Sequence, residues 1–486
     1  MQAWSGQPVS WGLWRFRILR AQGSASSLAR VTFLAAALTF LAVLAGCGGG
    51  SSSGGNNSSG GAAGCSTAEQ NVWLRDYFAQ SYFWNRLAPR PDPTPYGSLS
   101  EYFAALLYAG GDPAPALDPA PASTLIWPAD KWSNFQPTVS YSQFFTDGQS
   151  LGWGISVAGL EVAGLPSAPL YVRYVEPKSP AALAGVVRGD QVLSINGRLS
   201  SELIATNDFS ALTSTVTGQV LTLGLRNAAG DRTVQLVSQV FDLTPLSMAR
   251  VVTTSQGKKV GYLVLKDMIN QLLTPLEMAM ADFKTQGVSE LVLDLRYNGG
   301  GYVSVANTIA SYVAGTSGAG KVFASLRYND LQSSSNSLVR LSSPAPSSAL
   351  GLQRVYVLMG RRTCSASEMV INGLRGVGVQ VVGLGETSCG KPFGFQPVSQ
   401  CGNTFSVVNF ESVNAQGQGR YFDGLAATCP VAEDWKQALG QSAEPLLMSA
   451  LYHADRTSCP LLATAPPTSR AQRRALEPNE MPFMVR

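Results

Sequence analysis

Histidine is nearly absent from this chain, since the only one among its 486 residues is His453, near the C-terminus. A single imidazole and the lack of any Cys-x-x-Cys pair give no ligand set for a zinc site. The shortage also limits serine chemistry, because a serine nucleophile needs a base that removes its proton. If a serine reacts in this protein, a lysine is the first candidate for that base.

Acidic residues are missing from the first 46 positions, which carry four arginines and then the apolar run from Val31 to Leu44. This order is typical of a secretory signal. The run is too short to span a bilayer and ends in Leu44-Ala45-Gly46-Cys47. It resembles the lipobox of bacterial lipoproteins.

That resemblance implies cleavage before Cys47, lipidation of its thiol and a lipid-anchored place in the cell envelope. Gly48 stands where an Asp would signal inner-membrane retention, so the periplasmic face of the outer membrane of a Gram-negative bacterium is implied. The alternative is a plain secreted protein in which Cys47 is incidental. Without the four signal arginines the basic and acidic residues balance at 31 each, and nothing favours nucleic acid as a partner.

A Gly, Ser and Asn-rich spacer follows Cys47, and after it aromatic residues recur at helical spacing from about 67 to 112. Two amphipathic helices joined by the proline-rich stretch 89–95 are the simplest account. We interpret the aromatic residues as core rather than as a ligand cage.

Short β-type runs occupy about 140 to 243, and two of their motifs lie close together. Ser179-Pro180 begins a short helix that Gly185 ends, and Arg188-Gly189-Asp190 leads into a strand and turn. This block resembles the PDZ domains of bacterial proteins. The resemblance implies strand addition of a peptide whose carboxylate binds at Leu151, Gly152, Trp153, Gly154 and Ile155. The alternative is a domain that only packs on its neighbour.

The region from about 244 to 460 alternates apolar β runs with helical ones, which predicts an α/β domain with much parallel strand pairing. Three segments within it bear on chemistry. A strand runs into the glycine turn Asn298-Gly299-Gly300-Gly301, which can present backbone N–H groups. No Lys-Ser/Thr pair follows the glycines, so a phosphate-binding loop is disfavoured.

The second segment is the turn Cys364-Ser365-Ala366-Ser367-Glu368 between a strand and a helix. A serine at such a turn can project its hydroxyl towards a substrate. Helix capping is the ordinary alternative for Ser365 and Ser367. The third segment places Lys391 between Gly390 and Pro392, just after a strand, where burial would lower the pKa of its amine.

These three segments in this order resemble the C-terminal-processing, or tail-specific, serine proteases. The resemblance implies an α/β protease core of the crotonase/tricorn type, a mostly β PDZ domain and a small helical N-terminal domain. It implies a serine endopeptidase acting on polypeptide substrates without a cofactor. Its implied segments are a signal peptide (1–46), a flexible linker (47–66), a helical domain (67–138), the PDZ domain (139–243), the protease core (244–460) and a flexible tail (461–486).

The resemblance also assigns roles at the site. Ser365 is the implied nucleophile and Lys391 its general base, while the N–H groups of Gly300 and Ala366 form the implied oxyanion hole. Many family members carry Gln four residues after the lysine. Phe395 stands there instead, and whether the adjacent Gln396 orients Lys391 is open.

Several alternatives stay open at this stage. A thiol nucleophile at Cys364 lacks an imidazole partner, and His453 is interpreted as a surface or packing residue. Glu368 and Glu386 receive no catalytic role. Six cysteines follow Cys47, and the sequence does not select their pairing. The rival function is a catalytically inactive peptide-binding scaffold, and the oligomeric state is not predicted.

Overall fold

The computed structural model describes residues 64–115, 125–158 and 169–461, together with the backbone of 483–485. The expected signal peptide, the spacer up to Ala63 and the lipidation site Cys47 lie outside the described residues. Within the described ranges, none of the helices combines the length and apolar character needed to cross a bilayer.

The N-terminal part contains the two expected helices and adds a strand and a third helix. Ser66 and Ser98 accept hydrogen bonds from the first turns of the first two helices. Its elements are α1 (Thr67–Ser81), α2 (Leu99–Leu106), β1 (Asn134–Pro137) and α3 (Thr138–Phe145).

Aromatic side chains of this part form a core, as expected. Tyr82, Trp84 and Tyr102 are buried in a cluster that also contains Phe393 and Phe405 from the α/β region. The N-terminal helices therefore share their core with the α/β region, and the two parts are packed as one body.

The next part is a mostly β domain with two short helices, as the sequence predicts. Ser179 caps the first of them, and Pro180 occupies its first turn. The elements are β2 (Gln149–Gly152), β3 (Ile155–Ala158), β4 (Leu170–Val175), α4 (Pro180–Leu183), β5 (Gln191–Ile195), β6 (Arg198–Leu199), α5 (Ser200–Thr206), β7 (Val220–Asn227), β8 (Gly230–Val237) and β9 (Gln239–Asp242). Its main sheet has the order β3-β4-β5-β7-β8, so β3 lies at an edge in the described structure.

The remaining part is the expected α/β domain. Its elements are β10 (Leu246–Thr253), β11 (Lys259–Leu265), α6 (Leu273–Thr285), β12 (Glu290–Asp294), β13 (Gly300–Tyr302), α7 (Val303–Gly318), β14 (Val322–Tyr328), β15 (Ser337–Arg340), β16 (Arg354–Met359), α8 (Ala366–Gly376), β17 (Gln380–Gly385), β18 (Phe393–Phe395), β19 (Val398–Gln400), β20 (Asn403–Ser406), β21 (Val408–Val413), β22 (Cys429–Pro430), α9 (Pro445–Arg456) and β23 (Phe483–Val485).

The main sheet of this domain has the order β10-β11-β12-β16-β17-β22. All neighbours after β10 are parallel, so the carboxyl ends of β12, β16 and β17 meet at one edge. The three segments that the sequence analysis singles out follow these three strands. The topology therefore places them together.

Helices cover both faces of this sheet. Leu276, Ala306 and Met369, from α6, α7 and α8, are buried on one face, whereas Leu447 and Ala450 of α9 are buried on the other. His453 lies on α9, buried against the ring of Tyr356 at 5.6 Å between centroids. It is therefore a packing residue on the face opposite the helix that begins after Ser365.

A second sheet has the order β13-β23-β18-β21-β14-β15, and a small sheet pairs β1 with β20 and β19. The strand β23 comes from the C-terminal segment for which the sequence predicts only a flexible tail. Three disulfides join Cys65 to Cys401, Cys364 to Cys389 and Cys429 to Cys459.

Candidate active site

Ser365 lies at the turn between β16 and α8, with φ 60° and ψ −117°. A helix-capping serine normally has an extended backbone, whereas this conformation is sparsely populated and costs about 1–3 kcal/mol. Such strain is common at the sharp strand-to-helix turns that present a nucleophile. The Oγ atom is buried and has no hydrogen-bond partner among the described residues, so it does not cap α8.

Asn298, in the loop that follows β12, holds the glycine turn against the serine turn. Its carbonyl oxygen accepts the N–H of Cys364 at 3.1 Å and the hydroxyl of Ser367 at 3.0 Å. Its side chain accepts the N–H of Gly300 at 2.8 Å. Ser367 therefore links the serine turn to the glycine turn rather than capping the helix.

The two backbone N–H groups expected to form the oxyanion hole differ in whether they already donate a hydrogen bond. Ala366 is the first residue of α8, where a backbone N–H has no acceptor within the helix. The N–H of Gly300, in contrast, already donates to Asn298 in this structure. Gly299 and Gly300 both line the cleft that reaches Cys364.

Lys391 follows β17 and is fully buried. Burial holds the pKa of its amine well below the usual value, against the opposing charges of Asp130 and Glu368. Gly390 before it has φ +88°, and a Cβ there would lie 2.3 Å from the carbonyl oxygen of Phe422. Glycine is therefore required to turn the chain so that the lysine points inward.

Glu368 links the serine turn to the lysine loop through its buried carboxylate. One oxygen accepts the N–H groups of Ser365 at 2.9 Å and Lys391 at 2.8 Å. The other accepts the N–H of Gly390 at 2.8 Å and the hydroxyl of Ser388 at 2.5 Å. Burial raises the pKa of Glu368, and these hydrogen bonds oppose the rise.

The disulfide between Cys364 and Cys389 joins the same two loops, with 5.2 Å between the Cα atoms. It excludes Cys364 as a thiol nucleophile in this state. Cys364, Glu368 and Cys389 also form a group with metal-ligand spacing. The sulfur atoms are committed to the disulfide, and the carboxylate oxygens already accept hydrogen bonds, so the group does not suit a metal ion.

Phe395, rather than Gln396, contacts the lysine. The Nζ atom of Lys391 lies 3.7 Å from the centroid of the Phe395 ring, and this phenylalanine is fully buried. Gln396 is exposed, and its backbone N–H donates to Asn409 at 2.6 Å. The structure therefore does not bring the Gln396 side chain to the buried lysine.

A cleft of about 530 Å³ connects the β domain with the glycine turn. Residues 151–155, the expected peptide-binding loop, line one end, and Gly300 and Cys364 line the other. Gly154 packs so closely on Ser179 that a Cβ at position 154 would lie 2.0 Å from the serine Cβ. Trp153, the unusual residue of this loop, is buried in the core of the β domain.

Arg188 connects the β domain to the glycine turn. Its guanidinium donates to the hydroxyl of Tyr297 at 2.5 Å and to Glu433 at 2.8 Å. Tyr297 directly precedes Asn298. A movement of the β domain would therefore act on the glycine turn through this contact.

Sequence reasoning missed Glu368 and Asp130 as contributors to the site. For Glu368 a signal was present, because it stands three residues after Ser365, at a position where a side chain can reach back to the start of the helix. Asp130 lies in the N-terminal part, and no sequence pattern connects it to a lysine so far along the chain.

Two parts of the chain match models of known protein families. The sequence model described as "Peptidase family S41" matches residues 259–423, and that of the PDZ domain matches residues 171–227. The chain carries a peptidase family S41 domain and a PDZ domain. This confirms the family resemblance and the fold expected from the sequence.

Two curated relatives align with parts of the chain. Carboxyl-terminal-processing peptidase 3 of Arabidopsis thaliana is 31% identical over 144 residues, which are 27% of each chain. The carboxyl-terminal-processing protease of a Picosynechococcus species is 29% identical over 28% of this chain and 32% of its own length. The alignments thus span about a quarter to a third of these relatives.

A solved structure described as a putative S41 protease from Bacteroides fragilis has the same fold. Its TM-score is 0.60 at 24% identity, and the match covers 79% of this chain and 97% of that one. The fold of the S41 domain with its PDZ domain therefore extends over most of the described residues.

Proposed function

We propose that this protein is a serine endopeptidase that uses Ser365 as nucleophile and Lys391 as general base. One observation carries the proposal: Ser365, in a strained turn, and Lys391, with its pKa lowered by burial, are both held by the carboxylate of Glu368. The peptidase activity of the S41 family supports it.

The proposed reaction begins when the neutral amine of Lys391 accepts the proton of Ser365 Oγ. The oxygen attacks the substrate carbonyl, and N–H groups at Ala366 and the glycine turn stabilise the oxyanion. The lysine then donates its proton to the leaving amine, and water releases the acyl group by the same path. Ser365 Oγ has no described partner before substrate binds, which agrees with catalytic hydrogen bonds that tighten only in the complex.

The PDZ domain would bind the substrate's tail. Within the described residues its strand β3 lies at a sheet edge, where a peptide can be added as a further strand. The cleft continues from this domain to the glycine turn, so a bound tail leads towards Ser365. The Arg188 contact with Tyr297 offers a route by which peptide binding shifts the glycine turn.

We also propose that Cys47 carries a lipid that anchors the protein in the cell envelope. The order of arginines, apolar run and Cys47 supports this. A Cys47→Ser chain produced in a Gram-negative host should lose incorporation of labelled fatty acid and leave the membrane fraction. Unchanged labelling would contradict lipidation at this cysteine.

The activity is tested on an unstructured protein substrate with the chain from residue 47, carrying Cys47→Ser. The wild-type site should cleave it, and Ser365→Ala and Lys391→Ala should each lower kcat by at least about a thousandfold. Equal cleavage by the Ser365→Ala chain would remove this serine from the mechanism. No cleavage by any chain, with peptide binding retained, would favour the inactive scaffold.

A further inference from the structure

The last strand that the structure describes, β23, lies inside the second sheet of the S41 domain. β23 is parallel to β13, with Gly300 opposite Phe483 and Tyr302 opposite Val485. On its other side Val485 lies opposite Phe395 of β18, again in parallel. The C-terminal segment therefore fills the position between two strands that do not pair with each other.

Both neighbours of β23 belong to the catalytic loops. β13 begins at Gly300 of the glycine turn, and β18 begins two residues after Lys391. The helix α8, which starts directly after Ser365, also packs against β23. An extended peptide in this slot runs along the site where the serine would act.

Without β23 the slot would present two facing strand edges. On the β13 side, the N–H of Gly300 already donates to Asn298, and the C=O of Gly300 and the N–H of Tyr302 already pair with Met268. The remaining edge groups, at Gly301 and along β18, would lack partners, and such edges bind extended peptides through main-chain hydrogen bonds. Ser365 and Lys391 are both fully buried in the structure with β23 in place.

We propose that the C-terminal segment around Phe483–Val485 is an internal ligand of the peptide slot between β13 and β18. It competes there with substrates and holds the site in a self-blocked form. The slot's identity as the substrate path rests on the proposed function, whereas the docking of the tail does not. Covalent attachment gives the segment an effective concentration on the order of 1 mM. A substrate displaces it when the ratio of substrate concentration to substrate Kd exceeds the ratio of this effective concentration to the segment's own Kd.

The kinetic test compares full chains from residue 47 carrying Cys47→Ser. One chain is otherwise unchanged, one ends at Glu480, and one carries Met484→Pro, since proline cannot donate to a strand between two neighbours. Gln472→Pro is the matched control in the same tail. Truncation and Met484→Pro should lower KM several-fold with kcat unchanged, and the control should behave as the parent chain. Equal KM values in all four chains would contradict the proposal that the C-terminal segment blocks the site.

A binding test separates tail docking from catalysis. Chains with Ser365→Ala are titrated with a labelled peptide of residues 479–486, followed by fluorescence anisotropy. The chain ending at Glu480 should bind it, the complete chain should bind it at least several-fold more weakly, and a Met484→Pro peptide should not bind. Binding in this pattern without cleavage by any chain would support tail docking while refuting the proposed endopeptidase. No binding to the truncated chain would overturn tail docking.

Discussion

The Nζ atom of Lys391 lies 3.7 Å from the centroid of the Phe395 ring. An aromatic face stabilises an ammonium group, so Phe395 favours the charged lysine. Burial acts in the opposite direction and is the larger effect, because the pKa of Lys391 is lowered overall. The ring therefore limits how far burial lowers the pKa of the proposed base.

Replacing Phe395 with Leu should shift the acidic limb of the pH profile of kcat/KM to lower pH. Loss of about 0.5–2 kcal/mol of cation–π stabilisation corresponds to a shift of about 0.4–1.5 pH units. The control is Phe405→Leu, a buried phenylalanine of the shared aromatic core, which should leave this limb in place. If the acidic limb of the pH profile is unchanged in the Phe395→Leu enzyme, the ring does not affect the pKa of Lys391.

Lys391→Met should abolish activity and raise stability at neutral pH. The pKa of Lys391 is lower in the folded state than in the unfolded state, so the unfolded chain binds the extra proton. Stability should therefore rise with pH between the lowered pKa and the ordinary value near 10.5, and this dependence should vanish in the Met variant. Thermal unfolding of both chains across that pH range measures the pH dependence of stability. A lower Tm for Lys391→Met than for the parent chain at pH 7 would count against a neutral buried lysine.

Glu368→Gln should lower kcat by about ten- to a hundredfold with little change in KM. The carboxylate accepts three backbone N–H groups and one hydroxyl, whereas the amide nitrogen of Gln cannot accept any of them. Glu386→Gln is the matched control, because Glu386 is partly exposed and pairs with Arg361. Steady-state kinetics of both variants test this prediction. An equal change of kcat in the two variants would show that Glu368 does not position the serine and lysine loops.

Removing the Cys364–Cys389 disulfide should impair catalysis as well as stability. Its sequence separation of 25 residues is close to the 30 of Cys429–Cys459, so each bond contributes a similar stabilisation of about 3.5 kcal/mol. The Tm of the two double Cys→Ala variants should therefore fall by similar amounts relative to the parent chain. Only the variant at 364 and 389 should lose kcat at a temperature where both are folded. Equal kcat in the two variants would mean that the bond does not position the serine and the lysine.

Much of the site follows from sequence because its parts are local. Ser365, Lys391 and the glycine turn each follow an apolar strand, and parallel strands bring such turns together. The contact of Phe395 with Lys391 and the pairing of Cys364 with Cys389 depend on side-chain positions that no periodicity encodes. The three residues of β23 are too few to form a pattern, and their partners at Gly300 and Phe395 are distant in the chain.

The most direct test of the central claim traps the acyl-enzyme. The Cys47→Ser chain is mixed with an activated ester of a short peptide, quenched in acid and digested, and the acylated residue is located by mass spectrometry. The account predicts the acyl group on Ser365, with no adduct in Ser365→Ala and little in Lys391→Ala. An adduct at another residue, or undiminished ester hydrolysis by Ser365→Ala, would contradict it.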